Sequence, residues 1–346
     1  MTFATGNPIA IIGAGSWGTA LSIIAARAGH SVRLWSRNAA VAESINNQRV
    51  NSVYLPESKV PESVIATTDL PTALKHAGLV LFAVPSHATR NVLTNMISEL
   101  EPNVVIVSAT KGIEIESGKR ISQIVAEVLG KELAAKFVCL SGPSFAKEVA
   151  DKHPTAIVAA SEDLELSRNV QQHLSFDNLR IYASNDLIGT ELGGSIKNVM
   201  AIAAGMVAGL GLGTNSVSAL ITRGLAEMAR LAHRQGGKLE TLMGLAGLGD
   251  LVLTCTGTLS RNRFVGQELG KGRSLAEITR GMKEVAEGVN TTKALAKLAS
   301  RLEVEMPITN EVHAVLYEGK AAREAVSSLM TRPLRDEFYS EVSGRI

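Results

Sequence analysis

One glycine-rich turn near the amino terminus constrains the fold more than any other feature of this sequence. Gly13-Ala14-Gly15-Ser16-Trp17-Gly18 matches the pattern G-x-G-x-x-G. Glycine fills 31 of 346 positions, so composition alone would produce such a match in about a quarter of similar chains. The match gains specificity from its position, because it follows the apolar run at 9–12 and opens a helical pattern at 17–28. The three glycines predict a dinucleotide site, with the pyrophosphate at a helix amino end.

The end of the second predicted strand bears on which dinucleotide binds. An acidic residue about 20 positions after the glycine turn would bind the ribose hydroxyls of NAD. Here the stretch reads Trp35-Ser36-Arg37-Asn38, without an acid. The Arg37 guanidinium either forms charge-assisted hydrogen bonds with a 2′-phosphate or is a solvated surface arginine. We therefore expect NADPH as the cofactor, with NADH as the alternative.

Short β-type runs alternate with helical patterns in the first half of the chain. Such alternation is typical of a mainly parallel, doubly wound sheet that helices cover on both faces. The sequence thus predicts an α/β Rossmann-type domain over residues 1–188. Its predicted strands span 9–12, 31–35, 79–84, 104–108, 137–140, 156–159 and 179–182.

Helical periodicity prevails from about residue 185 onward. Ser184-Asn185-Asp186 supplies side chains suited to a helix N-cap, and the glycines at 244–249 predict a turn. The sequence predicts an all-α carboxy-terminal domain over residues 189–346. Its candidate helices span 187–208, 216–235, 261–269, 274–281, 291–301, 308–318 and 321–328.

An uncharged segment at 198–222 raises the question of a membrane span. Its apolar stretch, 199–212, has only about 14 residues, whereas a spanning helix needs about 20. The stretch also contains three glycines, and a turn pattern follows it. We expect a buried helix followed by a turn, and no integral membrane segment.

Charge and cysteine content narrow the classes of function. Lys and Arg number 35 against 33 Asp and Glu, a formal net charge of +2, which argues against nucleic acid or an anionic membrane as the main partner. Two cysteines cannot form a disulfide framework, and the amino terminus shows no export pattern, so we expect a cytoplasmic protein. The seven histidines form no metal-binding pattern, and we expect no catalytic metal.

Polar or glycine-rich residues follow three of the predicted strands. They are Ser86-His87, Thr110-Lys111 and Gly142-Pro143-Ser144. Ligands of an open parallel sheet bind beyond the carboxyl ends of its strands, so these residues predict a site along one edge. Lys111 is the strongest candidate, because its cation would face the cofactor, and a salt-bridged surface lysine is the alternative. We interpret His87 as an ordinary loop residue.

Two charged residues of the second half lie in apolar surroundings. Lys197 belongs to a helix rich in Ile, Met, Val, Ala and Gly, where a buried, unpaired ammonium would be costly. Either its stem reaches solvent, or it faces a polar cleft suited to acid–base catalysis. Asp250 follows Gly247-Leu248-Gly249 and is either a helix N-cap or the carboxylate that orients a catalytic cation.

A helix start near residue 260 favours a phosphorylated substrate. Ser260 is suited to cap the helix that follows, which directs backbone N–H groups and Arg261 at an anion. Capped helices with an arginine also occur on plain surfaces, so the pattern alone leaves that alternative open.

Several motifs, in order and approximate spacing, resemble those of bacterial NAD(P)-dependent sn-glycerol-3-phosphate dehydrogenases. The resemblance spans nearly the whole chain. The motifs are Gly13-Ala14-Gly15-Ser16-Trp17-Gly18-Thr19-Ala20-Leu21, Lys111-Gly112-Ile113-Glu114, Ser141-Gly142-Pro143-Ser144-Phe145-Ala146, Gly189-Thr190-Glu191-Leu192 with Lys197-Asn198, Leu248-Gly249-Asp250-Leu251, and Ser260-Arg261-Asn262 with Gly266.

The resemblance implies interconversion of dihydroxyacetone phosphate and sn-glycerol 3-phosphate, which supplies phospholipid synthesis, in a family that commonly forms dimers. It implies Lys197 as the proton acceptor in the oxidative direction, with Asp250 and Lys111 as further catalytic residues. The implied substrate site consists of Lys111, Gly142, Ser144, Lys197, Asp250, Ser260, Arg261 and Asn262. The implied cofactor site consists of Gly13, Gly15, Ser16, Trp17, Gly18, Arg37, Lys111, Ala146, Arg261, Val285 and Glu287. In the substrate site, Arg261 and Asn262 would grip the phosphate.

Two other functions stay open from the sequence. A β-hydroxyacid or 6-phosphogluconate-type dehydrogenase also couples such a domain to a helical one through a lysine-bearing helix, but it acts on a carboxylate substrate. A non-catalytic redox sensor would bind dinucleotide and would carry a basic recognition element or an exposed apolar patch. We find neither feature in this sequence.

Overall fold

The computed structural model describes residues 6–282 and 286–337. Contacts between residues divide the chain into two compact units. The first contains the residues up to Lys111 together with Lys119–Glu191, and the second contains Gly112–Gly118 and the residues from Leu192 onward.

The first unit is built on a large β-sheet. Eight strands form this sheet, and two others form a separate antiparallel hairpin. In the described residues the strands are β1 Ile9–Ile12, β2 Val32–Trp35, β3 Val50–Asn51, β4 Leu55–Lys59, β5 Val64–Thr67, β6 Leu79–Phe82, β7 Val105–Ser108, β8 Phe137–Ser141, β9 Thr155–Ala160 and β10 Leu179–Ser184.

The strand order of the sheet is β10-β9-β8-β7-β6-β1-β2-β5. All neighbouring pairs are parallel except β8 and β9. The prediction of a mainly parallel sheet is confirmed. Strand β5 and the β3–β4 hairpin were not among the predicted strands.

Helices cover the sheet and make up most of the second unit. Two 3₁₀ turns, Ser86–Ala88 and Ile97–Glu99, accompany them. The α-helices of the described residues are α1 Ser16–Arg27, α2 Ala39–Gln48, α3 Leu70–Leu74, α4 Thr89–Met96, α5 Ile121–Ala134, α6 Ala146–Ala150, α7 Leu164–Leu174, α8 Leu187–Gly209, α9 Thr214–Arg234, α10 Leu239–Met243, α11 Asp250–Thr256, α12 Arg261–Gly270, α13 Leu275–Arg280, α14 Glu287–Leu302, α15 Pro307–Tyr317 and α16 Ala322–Met330.

The turn predicted from the glycines at 244–249 is helical instead. A single π-helical turn, Leu245–Gly249, leads directly into α11. The lack of a side chain at Gly247 permits this tight helical turn. A Cβ atom on Gly247 would lie 2.1 Å from the Leu242 oxygen. The glycines therefore serve close packing within a continuous helical segment, and the prediction of a turn was wrong.

The sheet is buried on both faces. Successive residues of β1 point in opposite directions, so that Ile9 and Ile11 belong to one apolar cluster while Ala10 and Ile12 belong to another. Helices α1, α2, α6 and α7 contribute to the first cluster, and α3, α4 and α5 contribute to the second. This confirms the doubly wound α/β architecture.

Helix α8 contains the first part of the uncharged segment 198–222, which raised the question of a membrane span. Its 23 residues are long and apolar enough to cross a membrane by length and composition, but 89% of its most apolar window is buried inside the protein. The core helix of a globular unit shows such burial. The predicted N-cap is also present, since Asp186 Oδ1 accepts a hydrogen bond from the Gly189 N–H at 2.9 Å.

In the second unit, α8 and α12 approach each other at their backbones. A Cβ atom on Gly205 would lie 2.1 Å from the Arg263 oxygen, and one on Gly266 would lie 1.9 Å from the Ile202 oxygen. Neither position has room for a side chain. The glycines therefore set the separation of the two helices and place the start of α12 beside Asn198 of α8.

We expect Gly266→Ala to lower the free energy of unfolding by about 3 kcal/mol, because the new methyl group forces two backbones apart. Urea unfolding followed by circular dichroism measures this loss. Gly281→Ala is the matched control, since its Cβ would meet nothing nearer than 3.9 Å. A Gly266→Ala variant as stable as the control would show that the helices are not held at the observed distance.

Glu227 is a buried carboxyl group of α9. Burial raises its pKa from 4.5 to about 7, although several donors and the charge of Arg230 oppose this rise. The donors are the Ile308 N–H at 2.5 Å, the Thr309 N–H at 3.2 Å and the Thr309 hydroxyl at 3.1 Å, all in the first turn of α15. Glu227 thus ties α9 to α15.

The raised pKa of Glu227 makes stability depend on pH. Between about pH 4.5 and pH 7 the folded protein holds a proton that the unfolded chain releases, so the free energy of unfolding falls as the pH rises through this window. The expected fall is about 3 kcal/mol. Glu227→Gln should remove this fall in urea unfolding measured across the window, whereas the exposed control Glu240→Gln should retain it. An identical pH profile in both variants would contradict the assignment.

Candidate active site

The carboxyl ends of several parallel strands meet at one edge of the sheet. The glycine turn follows β1, Arg37 follows β2, Ser86 lies beyond β6, Lys111 lies beyond β7, and Gly142 follows β8. Strand β1 lies between β2 and β6, so the chain topology switches direction beside it. Such a switch point is where open α/β sheets bind ligands.

The glycine turn fits the diphosphate of a dinucleotide. Gly13 has φ +112°, and a Cβ atom there would lie 2.8 Å from the Ala83 oxygen. A Cβ atom on Gly18 would lie 1.8 Å from the Gly13 oxygen. Gly15 is the N-cap of α1, and this helix has neither a side-chain cap nor an acidic residue in its first turn. The positive end of the helix dipole therefore favours an external anion here.

The other predicted cofactor residues of the first unit lie near strand ends. The Ser16 hydroxyl donates to the Tyr54 carbonyl oxygen at 2.9 Å, and Trp17 packs against the apolar core. Ala146 is the first residue of α6 and is half-buried. Arg37 is exposed beyond β2, and its guanidinium makes no hydrogen bond within residues 6–282 and 286–337. Its proposed contact with a 2′-phosphate stays a prediction.

Lys111 is fixed to the loop that follows β8. Its Nζ donates to the Gly142 carbonyl oxygen at 2.8 Å, and the Ser144 hydroxyl donates to the same oxygen at 2.9 Å. Gly142 has φ +135°, and a Cβ atom there would lie 2.9 Å from the Ile157 Cα. The half-buried ammonium group is thus held against the backbone of this loop.

Lys197 forms a buried ion pair with Asp250. Lys197 is 7% exposed, and Asp250 is 1% exposed. The Lys197 Nζ donates to Asp250 Oδ1 at 2.9 Å and to the Thr254 hydroxyl at 2.8 Å. The Lys197 side chain is therefore almost fully buried, and the carboxylate pairs with the cation instead of capping α11, whose N-cap is Gly249.

A close backbone contact brings these two charges together. A Cβ atom on Gly193 would lie 2.4 Å from the Ala246 oxygen, so the π-helical turn rests directly on α8. Lys197 lies four residues after Gly193 and therefore shares its face of the helix. Asp250 is the first residue after the π-helical turn. The missing side chain of Gly193 is what allows the carboxylate to reach the ammonium.

Ser260 caps α12 as predicted, since its Oγ accepts a hydrogen bond from the Arg263 N–H at 3.2 Å. Arg261 is the first residue of the helix and is exposed. The Asn262 side chain donates to Asn198 Oδ1 at 2.9 Å and accepts from the Gly288 N–H at 2.9 Å. It thereby ties α12 to α8 and α14. The group that Asn262 presents at the helix start is its backbone N–H.

The last two predicted cofactor residues belong to the start of α14. Val285 lies outside the described residues. Glu287 is the first residue of α14 and is half-buried. A Cβ atom on the adjacent Gly288 would lie 2.6 Å from the Asn198 oxygen, so this helix start packs on α8.

The predicted residues thus form two groups, one in each unit. The sequence patterns did not identify Thr254, which shares the Lys197 ammonium with Asp250. One signal was available, because Thr254 follows Asp250 by four residues and both therefore lie on one face of α11.

Neither cysteine has the properties of a nucleophile. Burial raises the pKa of the Cys139 thiol well above its usual value. Burial also raises the pKa of Cys255 to about 12, although the nearby Lys197 opposes the rise. Among the described residues, no group of three or more His, Cys, Asp or Glu is placed to hold a metal ion.

Comparison with known proteins places this arrangement in a family. The family described as NAD-dependent glycerol-3-phosphate dehydrogenase N-terminus matches residues 8–167, and its C-terminus counterpart matches residues 186–327. The chain belongs to the NAD-dependent glycerol-3-phosphate dehydrogenase family. The resemblance drawn from the sequence motifs is confirmed.

Individual members of the family match over nearly their full lengths. A glycerol-3-phosphate dehydrogenase (NAD(P)+) of Koribacter versatilis is 52% identical over 333 residues, which cover 96% of this chain and 99% of that protein. A protein of the same name from Citrifermentans bemidjiense is 49% identical and covers 95% of this chain and 98% of its own length. The crystal structure of glycerol-3-phosphate dehydrogenase from Coxiella burnetii superimposes with a TM-score of 0.90 at 42% identity, covering 94% of this chain and 99% of that one.

Proposed function

We propose that this chain interconverts dihydroxyacetone phosphate and sn-glycerol 3-phosphate, with NADPH or NADH as the cofactor. The buried Lys197–Asp250 pair carries the proposal, because it holds an ammonium group in a fixed position where it can donate a proton. The chain also belongs to the glycerol-3-phosphate dehydrogenase family. From the resemblance, we further propose that the protein is a cytoplasmic homodimer and that its product, sn-glycerol 3-phosphate, supplies phospholipid synthesis.

A reduced nicotinamide, when bound, supplies the hydride that the ketone carbon of dihydroxyacetone phosphate receives. The Lys197 ammonium stabilises the charge that develops on the carbonyl oxygen and donates the proton that completes the alcohol. In the oxidative direction, the neutral amine accepts the alcohol proton. The Asp250 carboxylate and the Thr254 hydroxyl both accept hydrogen bonds from the ammonium, which fixes the position of the charge.

The start of α12 binds the phosphate in this proposal. Arg261 supplies a cation that can form charge-assisted hydrogen bonds, and the capped helix adds backbone N–H groups and the positive end of its dipole. Holding the phosphate fixes the position of the carbonyl group. Lys111, Gly142 and Ser144 are the proposed substrate contacts of the first unit, and Lys111 is shared with the cofactor.

We expect Lys197→Ala to lower kcat for dihydroxyacetone phosphate about 10²–10⁴-fold while cofactor affinity is retained, because proton donation is lost. The assay follows NADPH absorbance after dihydroxyacetone phosphate is added. Lys293→Ala, which removes an exposed lysine of α14, is the matched control. Turnover of the Lys197→Ala variant at the control rate would show that Lys197 does not take part in the reaction.

The same assay tests the alternative function. Oxidation of NADPH on addition of simple keto acids, with none on addition of dihydroxyacetone phosphate, would favour a hydroxyacid dehydrogenase instead.

We expect Arg37→Ala to raise the Kd of NADPH about tenfold with little effect on NADH, because only NADPH offers a 2′-phosphate to the guanidinium. Titration calorimetry with each nucleotide measures the two constants. Arg168→Ala, which removes an exposed arginine paired with Glu165 on α7, should change neither. Equal weakening of both nucleotides in the Arg37→Ala variant would eliminate the preference for NADPH.

A further inference from the structure

The β3–β4 hairpin lies apart from the large sheet and contacts the glycine turn. Its residue Asn51 is 0% exposed, although its side chain is fully polar. A buried amide of this kind is costly unless its hydrogen bonds are satisfied. We propose that Asn51 is a positioning residue that holds the glycine turn in the conformation that binds the dinucleotide diphosphate.

Three hydrogen bonds fix the Asn51 amide. Its Nδ2 donates to the Ala14 carbonyl oxygen at 2.9 Å and to the Thr19 hydroxyl at 2.8 Å. Its Oδ1 accepts from the Tyr54 N–H at 3.1 Å. A carbonyl oxygen only accepts and a backbone N–H only donates, so these partners determine which end of the amide faces which group.

The bond to Ala14 orients the peptide at the centre of the turn. The Ala14 carbonyl group and the Gly15 N–H belong to one planar trans peptide and point in opposite directions. When Asn51 holds the carbonyl oxygen on one side, the Gly15 N–H is aimed at the other. Glycines on both sides of Ala14 make this peptide free to rotate, so it needs an external group to fix it. Asn51 supplies that group.

The hairpin also contacts other parts of the proposed cofactor site. The Ser16 hydroxyl donates to the Tyr54 carbonyl oxygen at 2.9 Å. Glu57 pairs with Lys147 of α6, and the Ser58 hydroxyl donates to Asp151 at 3.3 Å. The Glu57–Lys147 pair is exposed and contributes little. The Ser16–Tyr54 bond also joins the hairpin to the turn, but of the two residues only Asn51 bonds to the Ala14 peptide.

This inference rests on the proposed dinucleotide site, and it is tested by binding alone. Asn51→Ala should raise the Kd of NADPH about tenfold, because the turn loses the bond that orients the Gly15 peptide. Titration calorimetry without substrate gives the Kd directly.

Asn46→Ala is the matched control. The Asn46 side chain also makes two hydrogen bonds, to the Ala66 carbonyl oxygen at 2.8 Å and from the Ala66 N–H at 2.9 Å, but it ties α2 to β5 and does not contact the turn. Both variants should lose stability, whereas only Asn51→Ala should lose affinity. Equal Kd values for the two would reduce Asn51 to a structural role and overturn the proposal.

Asn51→Asp separates the donor from the size of the side chain. It keeps an oxygen for the Tyr54 N–H and removes the N–H donors to Ala14 and Thr19. A Kd at pH 8 at least as high as that of Asn51→Ala is expected, and a wild-type Kd would overturn the proposal even if Asn51→Ala failed to fold. These experiments measure only the binding of NADPH. Their result therefore stands even if the protein proves not to reduce dihydroxyacetone phosphate.

Discussion

The second unit depends on a buried pair of opposite charges, the Lys197 ammonium and the Asp250 carboxylate. An ammonium and a carboxylate at this burial cost several kcal/mol each in lost hydration, and only a close, hydrogen-bonded pair offsets that cost. Lys197 and Asp250 meet this condition at 2.9 Å, with the Thr254 hydroxyl as a further acceptor. Loss of either charge would leave the other buried and uncompensated. The groups assigned to proton transfer therefore also contribute to the stability of the fold.

In both units, missing side chains determine where the functional groups lie. Gly13 lets the turn after β1 lie against Ala83, and Gly18 lets the first turn of α1 close over the end of β1. Gly193 lets the π-helical turn reach α8, and Gly266 lets α12 reach the same helix. A methyl group at any of these positions would meet a backbone atom within 3 Å. Backbone separation, which side chains cannot adjust, thus sets the distances between the charged groups.

Local sequence patterns were sufficient to predict features that depend on a single segment of the chain. The apolar run, the glycines and the following helix predicted the turn after β1, and Ser260 predicted its own cap. Contacts between distant segments were not predictable in this way. Asn51 bonds to Ala14 across 37 residues, and Lys197 pairs with Asp250 across 53. The sequence left two environments open for Lys197, because the cost of burying it depends on a partner that no local pattern identifies.

The geometry of the second unit has a consequence for which substrates fit. Asp250 and Thr254 hold the Lys197 ammonium in place, so in the proposed reaction the substrate oxygen must come to the ammonium and cannot draw it away from its acceptors. The start of α12 is fixed relative to α8 by the contact at Gly266 and by the bond between Asn262 and Asn198. The proposed proton donor and the proposed phosphate site therefore lie on helices that are fixed relative to each other. Such an arrangement selects a substrate by the distance between its reacting oxygen and its phosphate, which favours one chain length over homologues that differ by a single carbon.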